Sequence, residues 1–184
     1  MELLFEKLNA IRTLSSPFKS YLTENCEIFR FEAHQYALFQ SRNPRLYFVS
    51  AGLLSTDLMQ SGNHQPVMFF GEGDFIPPSI STYKSKFIHT LKFYMPTVLL
   101  GITIAQAKYA LRHFPEALDL FLGIADQQIA SGYARELFLR MPVQDRYNQL
   151  FTTNRQLFKE CSSQQLAAYL NISQRQLMRL KQMK

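Results

Sequence analysis

The last two dozen residues, from Cys161 to Lys184, constrain the fold of this chain most strongly. Apolar residues recur there at helical spacing in two short blocks, one ending at Leu170 and the other beginning at Leu177. Asn171 stands between the blocks, and asparagine tolerates the left-handed conformation of a tight turn. Serines suited to capping a helix precede both blocks. The stretch therefore predicts two short helices joined by a tight turn.

The second of these helices is predicted to carry a polar, basic face. Leu177 and Leu180 would point inward, and Ile172 would fill the turn. The residues predicted to face outward are Gln174, Arg175, Gln176, Arg179 and Lys181. A short helix, a turn and a helix with such a face are typical of a DNA-reading helix-turn-helix. An ordinary helical hairpin with a solvated basic face is the alternative.

The positive charge of the chain is concentrated in its last quarter. The net charge is +6. Residues 1–139 contain 12 basic and 12 acidic side chains, whereas residues 140–184 contain 8 basic and 2 acidic ones. Such asymmetry indicates an anionic partner for the C-terminal part, and the phosphates of nucleic acid are the simplest candidate.

The composition excludes several other classes of protein. Hydrophobic residues make up 47% and charged residues 18% of the chain, as in an ordinary folded protein. The longest apolar run is too short to span a membrane, and the first residues do not have the pattern of a secretory signal. Cys26 and Cys161 are two distant cysteines, which suits a reduced cytoplasm better than a disulfide framework. We therefore expect a cytoplasmic protein.

The chain before residue 140 changes its hydrophobic period twice. Residues 1–22 have a helical pattern that Pro17 interrupts. From Cys26 to about Thr103, short alternating segments are separated by turn signals such as Gly71-Glu72-Gly73-Asp74. About eight strands in this length favour an antiparallel sandwich or jelly roll. The helical period returns at Ala105, so the predicted class is α+β.

A helix of about 25 residues is predicted from Pro115 to Arg140. Its apolar residues at spacings of three and four are Leu118, Phe121, Leu122, Ala125, Ile129, Tyr133 and Leu137. The stripe is wide enough to cover the β domain and also to meet a second copy of itself, although burial within one chain is the alternative. Met141-Pro142 marks a hinge, which divides the chain into domains 1–140 and 141–184.

This order resembles that of the Crp/Fnr family of bacterial transcription regulators along nearly the whole chain. Three local stretches carry the resemblance. Residues 71–76 resemble the approach to the phosphate-binding cassette of a cyclic nucleotide-binding domain, residues 145–151 the start of the DNA-binding domain, and residues 165–179 its helix-turn-helix. The resemblance implies a sensory β-roll, a homodimer formed by the helix around Pro115 to Arg140, and a palindromic site on double-stranded DNA. RNA polymerase is a further candidate partner.

The resemblance also implies roles for particular side chains. Base-reading positions fall on Gln174, Arg175 and Arg179, and phosphate contacts on Ser173 and Gln176. Ser162, Ser163 and Lys181 complete the predicted DNA-binding set. Arg175 is basic where the cyclic-AMP receptor pattern is acidic, so a different operator is expected. The sequence stops at Lys184 without an evident β-wing, and we expect fewer phosphate contacts as a result.

The candidate ligand site departs from the family pattern. Pro77-Pro78-Ser79 replaces the family's Gly-Glu-Leu, and residues 46–111 contain no arginine to bind a cyclic phosphate. Two prolines also remove backbone donors from the loop. The candidate ligand-binding residues are Phe75, Ser79, Lys84, Ser85 and Lys86. We expect no cyclic nucleotide cofactor, so that the roll senses another ligand or none.

No pattern in the sequence indicates an enzyme or a metal site. His34, His64, His89 and His113 are scattered, and no nucleophile elbow or Walker loop is present. The main hypothesis is a dimeric DNA-binding regulator. The alternative is a ligand-sensing or protein-interaction module with a vestigial DNA-binding end.

Overall fold

The structure, a computed structural model, describes residues 1–38, 44–60, 63–77 and 89–182. Its elements follow the predicted order of helices, strands and helices. They are α1 (Glu2–Ile11), α2 (Ser16–Asn25), β1 (Glu27–Phe31), β2 (Tyr36–Leu38), β3 (Arg45–Ala51), β4 (Leu53–Gln60), β5 (Asn63–Gly71), β6 (Phe75–Ile76), β7 (His89–Phe93), β8 (Thr97–Thr103), α3 (Ile104–His113), α4 (Glu116–Arg140), α5 (Val143–Thr153), α6 (Arg155–Glu160), α7 (Ser163–Leu170) and α8 (Gln174–Gln182). The predicted α+β class is confirmed. No helix among the described residues is both long and apolar enough to cross a membrane.

The strands form two antiparallel four-stranded sheets. Their orders are β1-β8-β3-β6 and β2-β7-β4-β5. Large apolar side chains from both sheets meet in one core, which includes Val49 and Leu99 of the first sheet and Leu54 and Phe93 of the second. The two-sheet β-roll predicted from the strand period is therefore confirmed, because each sheet covers the apolar face of the other.

The N-terminal helices and α4 pack against the roll in a second core. Pro17 lies in the first turn of α2, where it costs no hydrogen bond, so the N-terminal helical stretch is split into two helices. A Cβ atom on Gly123 of α4 would overlap Ile11 Cγ2, which shows how closely α1 approaches α4 there. Gly123 is thus explained by packing within the chain.

The C-terminal helices share a third core with the outer face of the roll. Buried leucines of α7 and α8 belong to the same cluster as Leu53 of β4 and Tyr94. Phe69 of β5 packs edge-on against Tyr169 of α7, with ring centroids 4.7 Å apart. Buried side chains from both sides of residue 140 belong to this one cluster. The division of the chain into domains 1–140 and 141–184 therefore remains a prediction.

A buried polar group lies beside this shared core. Asp57 and Ser55 are completely inaccessible to solvent, and the Ser55 hydroxyl donates to Asp57 Oδ1. The Ser55 and Tyr94 hydroxyl oxygens are 3.2 Å apart. Asp57 Oδ2 is buried without a partner among the described residues. Burial raises the pKa of the Asp57 carboxyl, although Ser55, Lys92 and His64 all favour its charged form.

We predict that Asp57→Asn stabilises the protein at neutral and alkaline pH. Because the folded-state pKa lies above the unfolded one, ionisation of Asp57 reduces stability as pH rises toward the folded value. Replacing a buried, incompletely paired charge by a neutral amide should raise the free energy of unfolding by on the order of 1 kcal/mol. Urea unfolding at several pH values measures the free energy of unfolding of the variant and of wild type. The difference between the two should shrink as the pH is lowered and Asp57 becomes protonated.

Glu72→Gln is the matched control, because Glu72 is exposed in the turn that follows β5. The free energy of unfolding of this control should stay within about 0.5 kcal/mol of the wild-type value at every pH. A loss of stability in Asp57→Asn at alkaline pH would contradict the interpretation, since it would show that the ionised carboxylate is well stabilised.

Candidate nucleic-acid interface

The two helices of the C-terminal pair begin with the same type of capping box. Ser162 Oγ accepts from Gln165 N, and Gln165 Oε1 accepts in return from Ser162 N at 3.1 Å. At α8, Gln176 N donates to Ser173 Oγ at 3.2 Å, and Ser173 N donates to Gln176 Oε1 at 2.9 Å. These reciprocal bonds satisfy backbone N–H groups that a helix start leaves unpaired. Ser162, rather than Ser163, is the cap of the first helix.

Asn171 makes the turn between α7 and α8. Its backbone is left-handed, with φ 52° and ψ 52°. Asn171 N donates to Ala168 O and Ile172 N to Ala167 O, both at 3.0 Å. This pair of bonds closes the end of α7 in a Schellman motif. The turn is therefore short and specified by hydrogen bonds, which fixes the angle at which α8 leaves.

Buried leucines determine which face of α8 meets solvent. Leu177 and Leu180 pack against Leu166 and Leu170 of α7. The remaining side chains form an exposed surface, here termed the reading surface, that consists of Gln174, Arg175, Gln176, Met178 and Arg179. Neither Arg175 nor Arg179 forms an ion pair or a hydrogen bond with another described residue. Both guanidinium groups are thus available to an external acceptor.

The other predicted DNA-binding residues lie at the margin of this surface. Lys181 is half-buried, and its Nζ is 3.3 Å from Ser163 Oγ, so the end of α8 is tied to the start of α7. Ser162 and Ser173 are exposed but engaged in their caps. A contact of these residues with phosphate remains a prediction.

Not all of the basic residues in the last quarter face solvent. Arg146 of α5 is buried, and its Nη1 donates to Leu139 O at 2.6 Å. Arg140 pairs with Glu136 one turn earlier in α4. Arg146 thus links α5 to the end of α4, and the Arg140 charge is paired within α4. The charge asymmetry of the sequence therefore overstates the charge presented to a partner.

The N-terminal end of the reading surface adjoins the roll. Gln65 of β5 lines an open groove of about 500 Å³ together with the turn at Asn171 and the side chains of Gln174 and Gln176. Arg175 and Arg179 do not line this groove. The groove therefore meets α8 at Gln174 and Gln176 and leaves the two arginines outside it.

The long helix holds the helix pair through an arginine. Arg135 of α4 donates to Tyr169 O at 2.5 Å, and its guanidinium carbon lies 3.7 Å from the centroid of the Tyr169 ring. Burial lowers the pKa of Arg135, and its Nη1 is buried without a hydrogen-bond partner among the described residues. Arg135 thus links α4 directly to the helix that precedes the turn.

The candidate ligand-binding residues can be placed only in part. Phe75 lies on β6 and packs against Phe48, with ring centroids 5.0 Å apart, and its carbonyl accepts from Gln128 Nε2 at 3.0 Å. Ser79, Lys84, Ser85 and Lys86 lie outside the described residues. A cavity of about 400 Å³ between the roll, α4 and α5 is lined by Phe75, Pro77 and Arg135, among others.

Sequence reasoning missed two residues of interest, Arg135 and Met178. Arg135 supplies positive charge beside the cavity, whereas residues 46–111, which include β6, contain no arginine. The sequence feature that could have indicated Arg135 is its position between the apolar residues Tyr133 and Leu137 of α4. Met178 belongs to the reading surface although it is apolar, and helical periodicity around Leu177 would have placed it outside. Within the described ranges, no group of three His, Cys, Asp or Glu residues is arranged to hold a metal ion.

Comparison with known proteins identifies the fold. No protein-family profile and no curated protein sequence matches the chain. Among solved structures, a cyclic nucleotide-binding domain containing protein from Listeria monocytogenes EGD-e is 15% identical with a TM-score of 0.70, covering 95% of this chain and 88% of that protein. A candidate transcriptional regulator of the Crp/Fnr family from Eubacterium rectale is 12% identical with a TM-score of 0.70. That match covers 92% of this chain and 83% of that protein. The fold is that of the Crp/Fnr regulators.

A third structure shows the same Crp/Fnr fold. The c-di-GMP responsive global regulator CLP from Xanthomonas campestris is 17% identical with a TM-score of 0.65, and the match covers 92% of this chain and 91% of CLP. The likeness includes the C-terminal helices as well as the roll, because it extends over almost the whole of both chains. At these identities it establishes the fold, and the function has to be argued from this chain's own side chains.

We predict that Asn171→Ala destabilises the C-terminal helix pair and that Asn171→Gly does not. Alanine at a left-handed position costs about 1–2 kcal/mol, whereas glycine adopts that backbone without steric cost. Urea unfolding followed by circular dichroism measures both variants. Equal stability of the alanine and glycine variants would contradict the left-handed turn.

Proposed function

We propose that this chain is a DNA-binding transcription regulator of the Crp/Fnr type, which acts as a homodimer on a palindromic site. The observation that carries the proposal is the reading surface of α8, whose two arginines have no partner among the described residues. A recognition helix of a helix-turn-helix enters the major groove with such a face outward.

The chemistry of the reading surface suits base recognition. An arginine side chain can donate two hydrogen bonds to the O6 and N7 atoms of guanine, and glutamine can pair with adenine. Both arginines are exposed on one short helix that its own core holds rigid, so little order has to be gained on binding. We propose that Arg175 and Arg179 contact bases, and that Ser162, Ser163, Ser173 and Lys181 lie toward the phosphates.

The proposed dimer uses the exposed apolar stripe of α4. Leu118, Leu122, Ile129 and Tyr133 are 54%, 56%, 58% and 66% exposed, although they recur at helical spacing. Such a stripe is unusual on the surface of a monomer and is typical of a helix that packs against another. A second copy of α4, related by a two-fold axis, would cover it and would pair two reading surfaces.

Gly132 supports the same interface. A Cβ atom built on Gly132 has no neighbour within 4 Å, so no packing within the described chain requires a glycine in the middle of this helix. Glycine there costs roughly 1 kcal/mol relative to alanine. Its helical position adjoins Ile129 and Tyr133, which favours a close approach of the partner helix at this point.

We further propose that the roll does not bind cyclic AMP. The loop after β6 begins with Pro77, and the Phe75 carbonyl is already occupied by Gln128 of α4. Arg135, which lines the cavity beside Phe75, is engaged with Tyr169. A calorimetric titration with cyclic AMP should give no binding signal, and micromolar binding would overturn this part of the proposal.

We predict that Arg179→Ala weakens and relaxes sequence recognition. Loss of a bidentate contact should cost about 1–3 kcal/mol of discrimination at one base pair of each half-site. Selection from random duplex DNA followed by fluorescence anisotropy on the selected palindrome measures this. Arg112→Ala is the control, because it removes one exposed positive charge from α3 and leaves the reading surface unchanged. Equal affinity of wild type for all duplexes would overturn the proposal.

We predict that Ile129→Glu dissociates the dimer. A carboxylate in the centre of the apolar stripe would lie against the same group of the partner helix, and burying this pair is unfavourable. Sedimentation equilibrium should show a monomer, and affinity for the palindrome should fall. Ala130→Glu is the control, because Ala130 is exposed about 100° around the helix from Ile129.

The same measurements separate the alternative function. A stable dimer that binds no duplex at low salt would favour a ligand-sensing or interaction module. A steep fall of affinity with salt and half-sites about one helical turn apart would favour the regulator.

A further inference from the structure

Met178 is the one apolar side chain on the exposed face of α8. It is 49% exposed, while the neighbouring Leu177 and Leu180 are buried. Successive helical residues are rotated by about 100°, so Met178 lies about 40° from both Gln174 and Gln182 and about 60° from Arg175. The methionine therefore lies on the reading surface between Gln174 and Arg175, with polar side chains on both sides.

The packing of the helix pair does not require this methionine. Leu177 and Leu180 supply the contacts of α8 with the core, and Met178 is absent from that cluster of described residues. A single exposed apolar residue is common on protein surfaces and needs no explanation by itself. The position of this one is informative, because the surrounding face is the one proposed to enter the major groove.

The chemistry of the major groove offers a partner for an apolar side chain. Thymine presents its C5-methyl group there, and this group is recognised by apolar contact rather than by hydrogen bonds. Arginine and glutamine side chains read bases through the hydrogen bonds of their tips, which do not detect a methyl group. Methionine is unbranched and polarisable, so it can adapt to the methyl group between two polar neighbours.

We propose that Met178 reads a thymine in each half-site through its C5-methyl group. The inference rests on the proposed DNA binding and names a specificity beyond the hydrogen bonds proposed for the arginines. Arg175 and Arg179 would select their base pairs by hydrogen bonding, and Met178, on the side of Arg175 away from Arg179, would select thymine by burying its methyl group. Cytosine and deoxyuridine at that position would lack the contact.

The test uses the full chain and a palindrome selected from random duplex DNA. Each thymine of the half-sites is replaced in turn by deoxyuridine, which removes only the methyl group. At one position we expect affinity to fall about fourfold per half-site and about fifteenfold when both are replaced, since burying one carbon of this kind is worth about 0.8 kcal/mol. Fluorescence anisotropy measures the dissociation constants.

Variants assign the effect to Met178. Met178→Ala should bind the thymine and deoxyuridine duplexes equally, and Met178→Leu should retain the preference for thymine. Gln182→Ala, on the next turn of the same face, should keep the wild-type ratio of the dissociation constants for the deoxyuridine and thymine duplexes. Because Met178 is exposed, its substitution should leave the unfolding transition unchanged.

The other outcomes overturn the inference in distinguishable ways. If the selected palindrome is bound but no deoxyuridine weakens binding, or if Met178→Ala keeps the wild-type ratio, the role of Met178 is wrong and the DNA-binding function stands. If no sequence is enriched from the random duplexes, the proposed function fails and the inference fails with it.

Discussion

The contact between the leucines of α7 and those of α8 sets the direction of every side chain that could meet DNA. Leu166, Leu170, Leu177 and Leu180 are buried together in one cluster. A helix as short as α8 is not stable alone in water, so tertiary packing has to hold it. Once that packing is made, the helical repeat places the two arginines, the glutamines and Met178 outside. The reading surface is in this sense a consequence of the apolar contact beneath it.

The same cluster joins the helix pair to the β-roll. Leu53 and Tyr94 belong to it, and the buried Asp57 and Ser55 lie beside Tyr94. Burial also raises the pKa of the Cys161 thiol in this region to about 12, so that cysteine is uncharged at neutral pH. A partly polar interface is less strongly bound than an apolar core, because an unpaired buried oxygen costs free energy. Arg135 adds a second link, from α4 to Tyr169. Contacts with the roll and with α4 thus both help to fix the orientation of the helix pair that contains α8.

Much of the fold follows from periodicity. The hydrophobic period changes from helical to strand-like near Cys26 and back to helical near Ala105. The structure changes from helix to sheet and back to helix at these two places. The capping serines and Asn171 were also readable, since these residue types have local conformational preferences. The short helix α6 was not predicted, because its six residues contain too few apolar positions to show a period.

The candidate site was predictable to a smaller degree. Gln174, Arg175 and Arg179 could be assigned to an outward face because Leu177 and Leu180 define the inward one. The burial of Arg146 and the tie between Lys181 and Ser163 could not be inferred, because they depend on which atoms the fold brings within reach. Arg135 was likewise unreadable as a link to Tyr169, since 34 residues separate them in the chain.

By itself, the sequence determined the order of the elements, the turn at Asn171 and the residue types available on α8. Those features arise from hydrogen bonds and apolar spacing over a few neighbouring residues. The tertiary structure alone decided which basic side chains stay free and where the helix pair contacts the roll. These outcomes depend on burial and contacts between residues distant in sequence, and a local pattern does not contain that information.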